Sequence, residues 1–289
     1  MRDVLIALAP AAVAGCVIFG LRSLLVIFAC VVSCVLFEGL FNIITKKDQT
    51  VGDLSAAVTG LLLALNLPAG IPVWQCIIGS LFAVIVVKCL FGGIGCNLVN
   101  PAITARVFML VAFGSMADQA MPVIGGVDTV SGATPLGVIE AGGSPALTDL
   151  LLGLHGGAIG ETCAIALLLG LVYLLVRRII SWHIPVAYIG SVFFLSYIYT
   201  GFDPAQATAL ILSGGLMIGA IFMATDYTTS PATPSGRLLF GLGAGLLTFT
   251  IRHFGSYPEG VSFAILFMNI LTPYIERLCA RRIFGGVKA

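Results

Sequence analysis

Long apolar runs repeat along almost the whole chain, and they constrain the fold more than any other feature. A membrane-spanning helix needs about 20 mostly apolar residues, because the hydrocarbon core of a bilayer is about 30 Å thick. The sequence therefore predicts an all-α polytopic membrane protein with about ten transmembrane helices in a single transmembrane domain, residues 1–289. The ten apolar segments are roughly residues 4–21, 23–45, 53–67, 72–92, 100–117, 157–176, 184–200, 205–224, 237–252 and 260–279.

The composition excludes soluble classes of protein. Only 9% of the residues are charged and 59% are hydrophobic, whereas roughly 25% are charged in a soluble domain. A chain this apolar lacks the polar groups to cover a water-exposed surface. The net charge of +1 shows no basic excess that would attract nucleic acid. The expected surroundings are a lipid bilayer, with no nucleic-acid partner.

The distribution of Lys and Arg predicts the orientation. If both termini are cytoplasmic, only two basic residues, Arg22 and Arg252, fall at the outer face. Such a bias follows the positive-inside rule and supports ten spans. The twelve residues assigned to the inner loops and helix ends are Arg2, Lys46, Lys47, Lys88, Arg106, Arg177, Arg178, Arg237, Arg277, Arg281, Arg282 and Lys288.

Two of the apolar segments are interrupted in a way that suggests internal symmetry. The third, residues 53–67, is about 22 Å long as a helix and ends at Pro68 and Pro72. The eighth is followed directly by the polar run 225–230. Short or broken helices at matching positions predict inverted five-helix repeats around a central site. By architecture alone, a small-solute channel or transporter with a urea-transporter-like fold is an alternative function.

Residues 118–156 form a long Gly- and Pro-rich connection, which the predicted orientation places on the outer face. It contains Asp128-Thr-Val-Ser-Gly-Ala-Thr134-Pro-Leu136. Long connections in compact proteins are usually functional or disordered. Judged from its residues, this stretch is a turn that presents the Thr134 hydroxyl before a proline, and an ordinary surface loop is the simpler interpretation.

A resemblance to a known family favours a specific role for this loop. The pattern Asp-x-x-Ser-Gly-Ala-Thr resembles the flavinylation signature in which the phosphate of FMN is esterified to the last Thr. Segments 2–10, 92–102 and 223–231 (Arg-Asp-Val-Leu-Ile-Ala-Leu-Ala-Pro, Gly-Gly-Ile-Gly-Cys-Asn-Leu-Val-Asn-Pro-Ala and Met-Ala-Thr-Asp-Tyr-Thr-Thr-Ser-Pro) extend the likeness over nearly the whole chain. The chain resembles the D subunits of the Rnf complex, which are related to the B subunit of sodium-pumping NADH:quinone reductase.

The resemblance implies a flavoprotein and phosphoprotein subunit with FMN on Thr134, and a flavinylation motif made of Asp128, Ser131, Gly132 and Ala133. It implies electron transfer between ferredoxin and NAD, coupled to sodium or proton export across a bacterial cytoplasmic (inner) membrane. The implied partners are other membrane subunits, a flavin-bearing G subunit, soluble iron–sulfur subunits and a flavin transferase for maturation. The sequence has no dinucleotide-binding fingerprint, so the chain is expected not to be catalytic alone.

Asn97 and Asn100 precede the fifth apolar segment. On a helix their spacing would place both amides on one face. In the related B subunit a similar Asn pair lies near a non-covalent riboflavin, so the resemblance allows riboflavin here. The alternative is a helix cap, because Asn before Pro101 is typical of a helix start.

Acidic residues inside membranes are costly and suggest an ion path or a charged partner. Glu38 lies within the second segment and Asp226 follows the eighth, so both are candidates for a cation path. The alternatives are that Glu38 reaches interfacial water and that Asp53, at another inner helix end, is a first-turn acid. Glu161 lies near the outer end of the sixth segment, so the same reasoning applies to its carboxylate.

No metal site is predicted. The eight Cys residues contain no CxxC pair. Cys30 and Cys34 share a predicted helix face, but packing as small apolar side chains is the favoured interpretation. The three His residues are far apart in the predicted topology.

Overall fold

The computed structural model describes residues 1–113, 134–140, 143, 145–255 and 260–280. Within these ranges the chain is all-helical, apart from one isolated antiparallel bridge between Pro68 and Ala158. The all-α prediction is therefore confirmed. The helices are α1 Arg2–Phe19, α2 Leu21–Ile44, α3 Ser55–Leu65, α4 Val73–Cys89, α5 Pro101–Ala112, α6 Pro135–Glu140, α7 Leu147–Leu152, α8 Ala164–Val176, α9 His183–Tyr199, α10 Pro204–Leu212, α11 Leu216–Met223, α12 Pro234–Phe254 and α13 Val261–Cys279.

Each of the ten apolar segments contains a helix or, for the eighth, the pair α10 and α11. By length and composition, three helices of the described ranges could cross a membrane: α1, α2 and α13. The bent pair α10 and α11 makes a fourth if it counts as one span. The chain is thus a membrane protein with several candidate spans, while ten spans and inverted repeats stay predictions.

Several predicted bounds are wrong in an informative way. The sixth segment becomes helical only at Ala164, because residues 157–161 form an extended and turn segment beside the end of α3. The eighth is bent by 69° between α10 and α11. The 118–156 connection contains two short helices, α6 and α7. Polar and glycine-rich residues therefore break helices within predicted apolar segments, and not only in the connections between them.

Two helices contain π segments, at Phe82–Cys89 in α4 and Gly219–Met223 in α11. In α4 the Leu90 N–H donates to the Ile85 carbonyl, five residues earlier. Such segments are rare in proteins and occur frequently at functional sites. Both lie next to the polar groups described below.

Three helix starts share one pattern. Asn100, Asp203 and Thr233 each precede a proline at the first helical position, and each side chain accepts a hydrogen bond from a backbone N–H of the first turn. The side-chain oxygen satisfies an amide that has no partner within the helix, and proline needs no such partner. These caps fix where α5, α10 and α12 begin.

Glycines allow the helices of the bundle to approach closely. A β-carbon on Gly60 of α3 would lie 2.8 Å from the Cys30 carbonyl oxygen of α2. A β-carbon on Gly170 of α8 would lie 2.5 Å from the Ala7 carbonyl oxygen of α1. Without a side chain at these positions, the two backbones touch, which packs the short helix α3 firmly against α2.

We expect Gly60→Leu to lower the melting temperature of the purified protein by several degrees. The added side chain would meet the backbone of α2, and overpacking of this kind typically costs about 1–3 kcal/mol. The matched control is Gly190→Leu on α9, where a β-carbon meets nothing within 4 Å. Equal melting temperatures for the two variants would contradict the close approach of α3 to α2.

Candidate functional site

Thr134 begins the short helix α6. Its Oγ1 accepts a hydrogen bond from the Gly137 N–H at 3.3 Å, and Pro135 occupies the first helical position. The residue is partly buried. Asp128, Ser131, Gly132 and Ala133 lie outside the described residues, and their role in flavinylation stays a prediction.

Helix α6 is attached to the break between α10 and α11. Leu136 is 3% exposed, and a β-carbon on Gly214 would lie 2.7 Å from its Cδ1 atom. Gly214 has a φ of 66°, which favours glycine. Thr134 is therefore held beside the point where the eighth segment bends.

Arg252 of α12 closes the end of α10 at this break. Its guanidinium donates to the Leu210 carbonyl at 2.8 Å and to the Ser213 carbonyl at 3.1 Å. The last carbonyl groups of a helix have no partner within it, and a cation there also opposes the helix dipole. The side chain counted as an outer-face charge is in fact 5% exposed and structural.

The geometry of Thr134 fits a phosphoester. Esterification replaces the hydroxyl hydrogen, whereas the cap to Gly137 uses a lone pair of Oγ1. The residue is only partly buried, and Pro135 and Leu136 are buried and hold the backbone. A flavin joined through its phosphate would thus start from a fixed anchor.

A polar junction lies at the same break, inside the bundle. Arg106 of α5 donates from Nη1 to Asn66 Oδ1 at 2.7 Å, and its Nη2 lies 3.9 Å from Glu161 Oε2. Arg106, Glu161 and Asn66 are 5%, 4% and 1% exposed. A β-carbon on Gly215 would lie 3.1 Å from Arg106 Nη1 and 3.2 Å from Glu161 Oε2, so glycine admits both charged groups. We call Arg106, Asn66, Glu161 and Gly215 the central junction.

The extended segment at residues 158–161 completes the end of α3. The Gly160 N–H donates to the Leu65 carbonyl at 2.8 Å, and the Ile159 N–H donates to the Leu67 carbonyl at 3.1 Å. Asn66 itself donates from Nδ2 to the Leu62 carbonyl at 2.7 Å. The carbonyl groups left by the early end of α3 are therefore satisfied by protein, which also places Glu161.

Glu38 of α2 forms a buried ion pair with Lys88 in the π segment of α4. The Lys88 Nζ–Glu38 Oε1 distance is 2.7 Å, and the two side chains are 2% and 3% exposed. Thr50 donates to the same Glu38 oxygen at 2.8 Å, and Lys88 also donates to Ser55. The interpretation that Glu38 reaches interfacial water is wrong, because Lys88 compensates its charge inside the protein.

Asp53 precedes α3, and its carboxylate accepts a hydrogen bond from the Ser55 N–H at 2.7 Å. This agrees with the interpretation of Asp53 as an acid at the start of a helix. Since Ser55 also contacts Lys88, the acid at the helix start is linked to the buried Glu38–Lys88 pair.

Asn97, Asn100 and Asp226 line one cleft of about 120 Å³, together with Lys88 and Ser55. Asn97 lies outside any helix, so the predicted shared helix face is wrong, although both amides reach the same cleft. The predicted cap is observed: Asn100 Oδ1 accepts from the first turn of α5, and Nδ2 donates to the Met223 carbonyl at 3.4 Å. Asn97 Oδ1 is buried without a hydrogen-bond partner in the described part of the chain.

Asp226 lies directly after α11 at the edge of this cleft. Its carboxylate accepts hydrogen bonds from the hydroxyls of Thr228 at 2.9 Å and Thr229 at 3.4 Å. Burial raises the pKa of Asp226, while the hydrogen bonds from the two threonines lower it. Asp226 thus faces the cleft with a carboxylate whose burial is only partly offset by its hydrogen bonds.

Sequence reasoning missed Lys88 and Arg106 as site residues, because both were assigned to inner loops or helix ends. The structure buries them in ion pairs with Glu38 and Glu161. A signal was present, since both lie within apolar segments, where a charge needs a partner. In the described residues no group of three or more His, Cys, Asp or Glu could hold a metal. Cys30 and Cys34 are buried free thiols.

We expect Lys88→Met to destabilise the protein by about 3–5 kcal/mol, because Glu38 would remain as a buried charge without its cation. The double variant Lys88→Met/Glu38→Gln should recover most of this loss. Thermal unfolding of the purified protein in detergent measures both. Arg177→Met is the control, since it breaks an exposed pair with Asp3 that is worth roughly 0–1 kcal/mol. A Lys88→Met effect no larger than that of the control would contradict the buried pair.

Comparisons with known proteins show which family the chain resembles. The model of the NQR2, RnfD, RnfE family matches residues 1–285. The D subunit of the Na⁺-translocating ferredoxin:NAD⁺ oxidoreductase complex of Acetobacterium woodii is 46% identical over 100% of this chain and 91% of its own. The D subunit of the proton-translocating ferredoxin:NAD⁺ oxidoreductase complex of Clostridium ljungdahlii is 40% identical over 99% and 91%.

A more distant relative is the D subunit of the ion-translocating oxidoreductase complex of Escherichia coli, 34% identical over 100% of this chain and 94% of its own. The chain belongs to the NQR2, RnfD, RnfE family, as a D subunit of an ion-translocating ferredoxin:NAD⁺ oxidoreductase complex.

Proposed function

We propose that this subunit passes electrons through an FMN esterified to Thr134 while its complex exports sodium ions or protons. The observation that carries the proposal is the position of Thr134: a partly buried hydroxyl at a helix start, anchored to the bundle by Leu136. Family membership supplies the redox context. A covalent flavin supplies one-electron chemistry; this chain's residues fix its anchor and the surrounding electrostatics.

The proposal includes a defined orientation in a bacterial cytoplasmic membrane. Five parts of the chain that the predicted orientation assigns to the inner face each contribute a residue to one cleft: Met1, Ser55, Asn97, Ile179 and Asp226. Their meeting in one cleft supports their placement on the same side of the membrane. Both termini are then cytoplasmic, and the loop that carries Thr134 lies on the outer face. Electrons that reach Thr134 come from another subunit.

Inverted five-helix repeats are part of the same proposal. In the first half α2 packs on α4 and α4 on α5; in the second half α9 packs on α12 and α12 on α13. The equivalent pairs support a repeat α1–α5 related to α8–α13, with α3 corresponding to the broken pair α10 and α11. The halves contact each other through α1 with α8 and α5 with α13.

We assign the cation path to the inner half of the protein, with Glu38 and Asp226 as its acidic residues. Asp226 and Lys88 line the same cleft, and Lys88 forms the buried ion pair with Glu38. The orphan carbonyl oxygen of Asn97 supports a ligand in this cleft, and a non-covalent riboflavin is the candidate. Asn100 would serve that ligand only indirectly, because its amide already caps α5.

Function requires partners, since this chain accounts for one subunit of a multi-subunit oxidoreductase. The proposed partners are the remaining membrane subunits, a flavin-bearing G subunit and soluble iron–sulfur subunits, with a flavin transferase for maturation. A small-solute channel is the rival function. Its fold would suit the broken helices, but it assigns no role to Thr134.

We expect the purified chain to give a flavin-fluorescent band on a denaturing gel when it is produced with a flavin transferase. Thr134→Ala should abolish the fluorescence, because the phosphoester needs the hydroxyl, and the intact mass should fall by one FMN less one water, in addition to the mass lost in the substitution itself. Thr148→Ala is the control, since Thr148 is an exposed threonine of the neighbouring helix α7. A non-fluorescent band from the wild-type chain would exclude the covalent flavin and favour the small-solute channel.

We expect Glu38→Gln and Asp226→Asn each to reduce ion uptake by about tenfold, which corresponds to about 1.4 kcal/mol. Uptake is measured in vesicles during ferredoxin-dependent NAD reduction and is normalised to the electron-transfer rate and to the amount of complex. Asp149→Asn, an exposed acid on α7, should leave it unchanged. Normal coupled uptake in both variants would remove these residues from the cation path.

A further inference from the structure

The central junction lies where two helix ends meet inside the bundle. Helix α3 ends at Leu65, with Asn66 as its C-terminal cap residue, and Gly215 is the N-terminal cap residue of α11. Non-helical backbone at membrane depth is tolerated only where protein buries it or where it lines a water-filled cavity. Such a meeting point is therefore the place where an ion leak through the protein would most easily open.

The charges at the junction match the two helix ends. Arg106 donates to Asn66 at the C-terminal end of α3, where a helix carries partial negative charge. Glu161 lies beside Gly215 at the N-terminal end of α11, where the partial charge is positive. Each of the two charged groups thus lies against the helix end of opposite partial charge.

The junction is also closed mechanically. Its three side chains are at most 5% exposed, and Gly215 admits the guanidinium and the carboxylate against the backbone. Glu161 is fixed by the Ala158 N–H, which donates to Oε1 at 2.9 Å, and by the pairing of residues 159 and 160 with the end of α3. The charged groups therefore fill the gap between the helix ends.

We propose that Arg106 is the permeability barrier of this protein: its buried positive charge keeps sodium ions from crossing the central junction while the complex stores an ion gradient. A fixed cation repels other cations that approach it. Glu161 balances that charge and holds the guanidinium in place. The proposal rests on the chain crossing the membrane as set out above, but not on the covalent flavin.

The test uses the complete purified complex in liposomes, without electron donors. A potassium gradient with valinomycin imposes a membrane potential, and a trapped sodium-sensitive dye records passive sodium entry. Arg106→Gln should raise the rate of entry about tenfold or more, because it removes the repelling charge and leaves Glu161 to attract cations. Glu161→Gln keeps the cation and should admit no more sodium than the wild type.

Two further variants separate the charge effect from a general loosening of the bundle. Arg106→Lys retains the positive charge and should keep sodium entry near the wild-type rate. The double variant Arg106→Gln/Glu161→Gln removes both charged groups of the pair, so it tests the barrier even if Arg106→Gln does not assemble. Its sodium entry should exceed that of the wild type and stay below that of Arg106→Gln.

The sign of the charge decides the outcome. Sodium entry through Glu161→Gln as fast as through Arg106→Gln would mean that the side chains only hold the fold together, and the proposal would fail. Wild-type tightness in the double variant would also overturn it. Flavin fluorescence of the same preparations on a denaturing gel is scored separately, so that a missing flavin beside an intact barrier counts only against the role of Thr134.

Discussion

The early end of α3 is the constraint from which much of the bundle follows. A helix that stops inside an apolar environment leaves carbonyl groups that must find donors within the protein. Here the donors are the amides of Ile159 and Gly160 and the side chain of Asn66. The segment that supplies these amides cannot be helical, so α8 begins only at Ala164 and Glu161 is placed beside Arg106. One broken helix thereby determines the position of a second segment and of a buried ion pair.

The bend between α10 and α11 links the proposed flavin anchor, Thr134, to the interior of the bundle. Leu136, two residues after Thr134, packs on Gly214, and the next residue, Gly215, contacts Arg106 and Glu161. Adjacent glycines at a bend let the outer helix α6 and the buried charges approach one piece of backbone from two sides. A change at the anchor therefore has a short mechanical route to the middle of the bundle. The Glu38–Lys88 pair lies away from this route, beside the inner cleft.

The sequence predicts the positions of the helices well because each long apolar run belongs to a segment that is kept away from water. It also marks a helix start, since Asn100 before Pro101 is the cap that the sequence offered as one interpretation. Pairing between distant segments leaves no local trace. Glu38 and Lys88 are 50 positions apart and meet only because α2 packs on α4. Thr134 stands out only through its motif, whose first residues lie outside the part of the chain that the structure describes.

The π segment of α4 has a consequence for how such chains can vary in length. A π turn accommodates one more residue than an α turn, and each residue of an α-helix advances it by about 100°. Loss of one residue between Phe82 and Cys89 would restore regular α geometry and leave the later side chains near their present faces, whereas loss of one residue from the α-helical part, Val73–Leu81, would rotate every later side chain of α4 by that angle. Lys88 would then turn away from Glu38. Substitutions on the exposed side of α4 leave this register intact, whereas an insertion or deletion in its α-helical part changes which residue faces the carboxylate.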